Sequence, residues 1–210
     1  MKDQLQAIFE SIVQGNREEV EAGVRAAIEQ GVPPSDILSE GLIAPMTEVG
    51  ARFERQEFYV PEMLVAARAM KAGLAILKPL LVEEGIQPKG TVVLGTVQGD
   101  LHDIGKSLVG MMLEGDGFQV VDVGTDVSPL DFSRAIEAHK PQIVGLSALL
   151  TTTMRNMKVT LESLEEMGIR DQVKVIVGGA PVTDEYAREI GADGYAQDAT
   201  RAVALARSLL

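Results

Sequence analysis

The sequence predicts an α/β protein in two parts, a four-helix bundle followed by a doubly wound, five-stranded parallel sheet. Up to about residue 82 the apolar residues recur at helical spacing. From Thr91 onward short apolar runs alternate with amphipathic segments, the pattern of parallel strands joined by helices. Between these parts Glu83–Gly90 is polar and carries Gly85, Pro88 and Gly90. The predicted division is a helical domain at 1–84, a linker at 85–90 and an α/β domain at 91–210.

In the first part, Gln4–Gln14 places Leu5, Ile8, Phe9 and Ile12 on one helical face. Asn16 followed by Glu19 reads as a capping box for a second helix, which Gly31 and Pro33-Pro34 stop. Ser35 is expected to cap a third helix with the stripe Leu38, Leu42, Met46, Val49 and Phe53, kinked at Pro45. A fourth helix starts near Pro61 and runs through Leu64, Ala67, Met70, Leu74 and Leu77. Short connections between them read as a bundle.

In the second part the expected strands are Thr91–Thr96, Phe118–Val123, Gln142–Ser147, Val173–Gly178 and a weak Gly194–Ala196. The expected helices are Gly105–Glu114, Pro129–His139, Met154–Met167, Asp184–Ile190 and Ala199–Leu209. Five such strands suggest the order 2-1-3-4-5, in which ligands bind beyond the carboxyl ends of strands one and three.

Composition narrows the chemistry. Lys and Arg number 19 against 31 Asp and Glu, a net charge of −12, so neither nucleic acid nor an anionic membrane is an expected partner. There is no cysteine, which excludes disulfides, thiolate metal sites and cysteine nucleophiles. Two histidines cannot build a multi-imidazole zinc site. No stretch is long and apolar enough to span a bilayer, and Met1-Lys2-Asp3-Gln4 does not open a signal peptide, so a cytoplasmic location is expected.

Three segments fall at the predicted carboxyl edge: Val97–Gly105, Ser147–Thr153 and Gly178–Pro181. The first holds His102 with Asp100 two residues before it, able to accept the second N–H of the imidazole and orient it. The second offers hydroxyls. The third has no side chains at its tip and leaves room for a close backbone approach. A lone histidine serves a metal only if a macrocycle brings the other ligands, as haem does. Composition alone leaves haem and a corrinoid open. His139, at a helix end, reads as structural, as do Met46, Met63 and Met70. Phe53, Phe58 and Tyr59 cluster at a helix corner, and Phe58 reads as corner packing.

Gly99-Asp100-Leu101-His102-Asp103-Ile104-Gly105 matches the Asp-x-His-x-x-Gly signature of cobalamin-binding domains. Ser147-Ala148-Leu149 and Gly178-Gly179 match their Ser-x-Leu and Gly-Gly segments at agreeing spacing. The chain therefore resembles, over nearly its whole length, the corrinoid proteins of anaerobic methyltransferase systems and the helical cap plus cobalamin module of methionine synthase. The resemblance implies a flavodoxin-like sheet under a helical cap, with cobalamin (methylcobalamin or a related corrinoid) as cofactor. It makes His102 the lower ligand of cobalt and Asp100 the holder of its far nitrogen. Thr153 stands where methionine synthase has a serine, keeping the hydroxyl and adding a methyl group. The loop residues Gly99, Leu101, Asp103, Ile104 and Gly105 become cofactor contacts. Ser147, Leu149 and Thr151 would line the slot for the nucleotide tail, with Gly178 and Gly179 as its floor and Ala199 as a further contact. Phe53 and Val60 match residues that cover the upper face of the corrin.

The implied activity is methyl carriage. Cob(I) takes a methyl group from a donor, and the methylated cobalt passes it to an acceptor. The chain would be a loaded subunit more than a complete enzyme. Its partners would be a substrate-specific methyltransferase, an acceptor methyltransferase and a reductive activator, with a methylamine, methanol or methyl ether as donor. The cap must move to expose the methyl face, and the linker is the expected hinge. Two rivals are a cobalamin-dependent regulator or photosensor and the cobalamin subunit of an adenosylcobalamin mutase. The acidic charge and the absence of tryptophan disfavour the first. The four-helix cap disfavours the second.

Overall fold

Five parallel strands form one sheet in the order β2-β1-β3-β4-β5, as the doubly wound pattern predicts. They are β1 (Thr91–Thr96), β2 (Gln119–Asp122), β3 (Ile143–Ser147), β4 (Lys174–Gly178) and β5 (Gly194–Tyr195). The computed structural model describes residues 2–210, so Met1, which opens the segment read above for a signal peptide, lies outside it. The chain divides into two compact units, one reaching to Pro88 and including Glu114–Gly117, the other formed by Lys89–Leu113 and Phe118–Leu210.

The helical unit contains α1 (Lys2–Val13), α2 (Arg17–Glu29), a short α3 (Pro34–Asp36), α4 (Ala44–Glu54) and α5 (Val60–Glu83). Its core takes Ile8 and Ile12 from α1, Val20 and Val24 from α2, and Met63, Met70 and Leu77 from α5. Gly73 of α5 is buried where a Cβ would come within 2.9 Å of both Val20 and Leu42, so its lack of a side chain lets neighbouring helices close.

Three local expectations need correction here. Asn16 does accept the Glu19 N–H at 3.3 Å, but its own N–H goes to the Ser11 carbonyl. The Glu19 carboxylate therefore turns to the Ser11 hydroxyl, 3.2 Å away, and the capping box is only half made. Ser35 does not cap, because the helix begins one residue earlier at Pro34, whose missing N–H suits a first turn. The irregularity expected at Pro45 takes the form of a π-helical segment, Ile37–Ile43, just before it. The Ala44 N–H bonds back five residues to Ser39, and the widened ladder accommodates the ring that would otherwise meet the Gly41 carbonyl. The buried ladder accordingly steps by five from Ile37 to Leu42, leaving Leu38 only half-buried.

In the α/β unit, α6 (Ile104–Gly115) and α10 (Ala199–Ser208) cover one face of the sheet, while α7 (Pro129–His139), α8 (Thr151–Glu166) and α9 (Asp184–Glu189) cover the other. Leu94 points to α6, where Gly110 admits it, and Leu205 of α10 covers Gly194. Val93, Val144 and Val175 point to Phe132 of α7 and Met157 and Leu161 of α8. The helices after β1 and β3 therefore leave on opposite faces, which opens a crevice between the ends of those strands. β1 keeps its expected bounds, and the other strands are one or two residues shorter than the apolar runs suggested, as boundaries usually are. Asp193 ties β4 to β5, accepting the Val175 N–H at 2.8 Å and the Arg170 guanidinium at 2.7 Å.

Glycines inside the sheet carry packing that no side chain could share. A Cβ on Gly95 would lie 2.6 Å from the Phe132 ring, and one on Gly145 would lie 2.4 Å from Leu94. Gly95→Ala is expected to destabilise the chain by about 1–3 kcal/mol through overpacking against the buried ring, read as a lower midpoint in urea with an unchanged slope.

Candidate cofactor site at the carboxyl edge of the sheet

The loop after β1 turns at Val97-Gln98-Gly99-Asp100, closed by the Asp100 N–H on the Val97 carbonyl at 3.1 Å. Gly99 has φ +84°, the left-handed conformation that the third position of a type II turn requires. This turn drives the Asp100 side chain inward, where it is fully buried.

Both carboxylate oxygens of Asp100 are saturated. Oδ1 accepts the His102 backbone N–H at 3.0 Å and lies 2.6 Å from His102 Nδ1. Oδ2 accepts the Leu149 N–H at 2.8 Å, the Leu150 N–H at 3.4 Å and the Thr153 hydroxyl at 2.6 Å. Burial pushes the Asp100 pKa up, but the bonds from Thr153, Leu149 and His102 outweigh it and hold the carboxyl well below the ordinary range. Leu149 and Leu150 lie just ahead of α8, where the helix dipole also favours an anion.

An ionised Asp100 accepts from Nδ1 and so fixes the tautomer of His102. The Nε2 lone pair is then the one ring atom available to a metal, on a side chain that is 51 % exposed. Its loop neighbours Leu101 and Ile104 are 73 % and 74 % exposed, an unusual display for large apolar residues on one short loop. Asp103 and Gly105 are exposed as well. Gly105 has nothing within 4 Å of where a Cβ would stand.

The structure brings His102, Asp100 and Thr153 together with the β3 edge, where Ser147 is half-buried and Leu149 is 43 % exposed. Thr151 and Thr153 belong to helix rather than loop. α8 begins three residues before the expected Met154, and its first turn is tied to Asp100 by the Thr153 hydroxyl and the Leu150 N–H, tertiary contacts that periodicity does not register. The reading of Gly178-Gly179 as open space for another body also changes. Gly179 has φ +132°, and a Cβ there would fall 1.8 Å from the Ala148 carbonyl oxygen, while one on Gly178 would fall 2.9 Å from that of Ala196. These glycines are required first by the chain's own adjoining loops. Ala199 is buried at the first position of α10. Beside it, the Thr200 hydroxyl oxygen is buried with no hydrogen-bond partner among the described residues, a polar position that a bound group can satisfy.

Phe53 is half-buried on α4 and Val60 is the exposed first residue of α5, both within the helical unit. Phe58, read as corner packing, carries the Arg52 guanidinium over its ring at 5.2 Å. Residues not anticipated from sequence also support the loop. The buried Thr96 hydroxyl donates to the His102 carbonyl at 2.9 Å. The buried Lys106 ammonium pairs with Asp122 at the end of β2. Thr96 ends its strand and Lys106 follows the motif, but a sequence offers no signal for their partners.

Among the described residues no group of three or more His, Asp and Glu could hold a metal ion. A metal at His102 takes one protein ligand, so its other ligands must arrive with it. An exposed, tautomer-fixed imidazole flanked by apolar side chains fits the face of a metallated macrocycle. Among the described residues no helix is long and apolar enough to cross a membrane.

Comparison with known proteins agrees with this geometry. Residues 90–204 match the B12 binding domain family, and residues 4–78 match a second family of the same description. The dimethylamine corrinoid protein of Methanosarcina barkeri is 46 % identical over 207 residues, covering 98 % of this chain and 97 % of that one. The trimethylamine corrinoid protein 1 of Methanosarcina acetivorans is 46 % identical over 186 residues, covering 88 % and 86 %. In structure, the chain is similar to a protein in the methanol:cobalamin methyltransferase complex of Methanosarcina barkeri, with a TM-score of 0.88, 31 % identity and coverage of 99 % and 79 %. It is also similar to a cobalamin-binding protein from Desulfitobacterium hafniense, with a TM-score of 0.80, 29 % identity and 98 % coverage of both chains. With both of its parts matched and a corrinoid protein 46 % identical to it over 97 % of that protein's length, the chain belongs to the family of B12-binding corrinoid proteins.

Proposed function

We propose that this chain carries a methyl group on the cobalt of a bound corrinoid, taking it from one methyltransferase and delivering it to another. The observation that carries the reading is the buried Asp100 carboxylate, which fixes His102 so that Nε2 alone is presented from an exposed loop. The names of its relatives favour a methylamine as the donor's class. The similar structure of a methanol:cobalamin methyltransferase complex supports a methyltransferase as partner. An acceptor methyltransferase, a reductive activator and a cytoplasmic location complete the reading.

Bound cobalamin supplies a cobalt centre that accepts and releases a methyl group. The chain supplies a ligand, its orientation and a place for the cofactor. His102 Nε2 is the ligand to cobalt. Asp100 holds the proton on Nδ1 and makes Nε2 a better donor. Thr153 keeps Asp100 ionised by donating to it, so a proton arriving on the pair meets an already saturated carboxylate. Leu101 and Ile104, with Gly99, Asp103 and Gly105, form the surface beside the ligand. Ser147, Leu149, Thr151, Gly178, Gly179 and Ala199 lie on the neighbouring edge assigned to the nucleotide tail.

Electron paramagnetic resonance of the chain loaded with cob(II)alamin tests the reading. A nitrogen superhyperfine pattern is expected that changes with nitrogen-15 histidine and disappears in His102→Ala. A pattern indifferent to both would reject His102 as ligand. Gly105→Ala separates ligand from fold. Its Cβ meets no protein atom, and alanine is the better helix former, so stability should hold or rise by up to about 1 kcal/mol while cobalamin affinity falls. Unchanged affinity would remove Gly105 from the site.

Asp100→Asn should cost about 1–3 kcal/mol, because either orientation of the amide sets its NH2 against a backbone N–H, that of His102 or that of Leu149. The native pKa of Asp100 lies below its unfolded value near 3.8, so its stabilisation is complete above that pH and fades as pH falls below it. Denaturation of both proteins across pH should therefore show a constant gap from neutrality to about pH 5 that narrows in stronger acid.

A further inference from the structure

The peptide unit between Gln98 and Gly99 is held at both ends by side chains from two other elements. Its carbonyl accepts from Asn156 Nδ2 of α8 at 2.6 Å. Its N–H donates to Asp126 Oδ1, from the β2–α7 connection, at 2.7 Å. Asp126 is fastened in turn, for its own N–H donates to the Asp100 carbonyl at 2.9 Å.

This peptide is the central one of the turn that delivers Asp100 to its buried position. Type I and type II turns differ mainly by a half-rotation of the central peptide, and the φ of +84° at Gly99 belongs to type II. Rotating it would aim the Gly99 N–H away from Asp126 and the Gln98 carbonyl away from Asn156. Both bonds would be lost together. Asp126 itself adopts φ +55°, a conformation that costs a non-glycine residue energy and that its surroundings must sustain.

We propose that Asp126 and Asn156 are positioning residues that lock the Gln98–Gly99 peptide and thereby fix Asp100 and the imidazole of His102 in register with the cobalt. Their side chains bond the turn peptide and not the imidazole. Their effect passes through the backbone of one turn. The proposal rests on His102 being the cobalt ligand.

The lock is separable from folding. Asp126 is exposed and Asn156 half-buried on the surface of α8, so their hydrogen bonds add little to global stability. Asp126→Gly keeps the left-handed conformation and the N–H but removes the acceptor. Asn156→Ala removes the donor and favours the helix. Asp126→Asn keeps both an acceptor oxygen and a tolerance for positive φ.

The test loads the full chain and each variant with cob(II)alamin, then measures the ratio of histidine-bound to histidine-free cobalt by paramagnetic resonance and the Kd for the cofactor. Asp126→Gly and Asn156→Ala should each shift the ratio or the Kd about fivefold against histidine ligation, the worth of one such hydrogen bond. Asp126→Asn should match the wild type, and the Tm of every cofactor-free variant should stay within a few degrees. Wild-type ratio and Kd in both the Gly and Ala variants would overturn the proposal, as would an Asn variant that falls as far as the Gly one. A wild-type protein without a histidine signal would instead overturn the ligand assignment on which the proposal stands.

Discussion

The loops that follow β1 and β3 are joined by one buried carboxylate. Asp100 comes from the loop after β1, yet the three groups that bond its second oxygen come from the loop and helix after β3. The two strands are neighbours in the sheet, paired in register from Val92 and Ile143 to Thr96 and Ser147. The carboxylate therefore joins the two sides of the crevice at the point where the helices diverge. A buried charge without partners would be very costly. Here two backbone amides, a hydroxyl and the peptide and ring N–H of His102 replace the water it has lost.

Saturation has a consequence for the histidine. An Asp100 with spare lone pairs could accept a proton or swing toward another donor. With each oxygen already engaged, the carboxylate has one place to be, and the imidazole on Nδ1 inherits that placement. Neither the exposure of His102 nor its loop location makes it free to wander. Loops usually supply functional groups at the expense of order. This one recovers order by satisfying its backbone through Thr96, Asp126 and Asn156.

How far this was legible in the sequence varies with the range of the interaction. Strand–helix alternation reports on burial every few residues, so the sheet, its order and the edge that carries the loops could be read directly. Asp100, His102 and Thr153 were legible through a motif. Features set by distant partners were not. Nothing near Asp126 says that it meets Gly99, and nothing near Glu19 says that Ser11 will outbid the Asn16 amide for it. The early start of α8 has the same origin, since its first turn is held from Asp100, some fifty residues away in sequence. The π-helical segment reverses the lesson. Its cause, Pro45, was visible, but the chain absorbed it over Ile37–Ile43, where the preceding ladder could widen, and not at the proline itself.

The glycines divide along a related line, and that division separates fold from chemistry. Gly95, Gly145, Gly178 and Gly179 are fixed by atoms of the chain itself, each within 3 Å of where a Cβ would be. They would be needed in an empty version of this fold. Gly105 has no such neighbour and no left-handed backbone to excuse it, and a glycine in the first turn of a helix weakens that helix. A residue that costs stability and serves no internal packing is best explained by something outside the chain that needs the space. Its position three residues after His102 fits the corrinoid that the imidazole is proposed to bind. A motif that looks uniform in sequence is thus two kinds of constraint, and the distance to the nearest protein atom tells them apart.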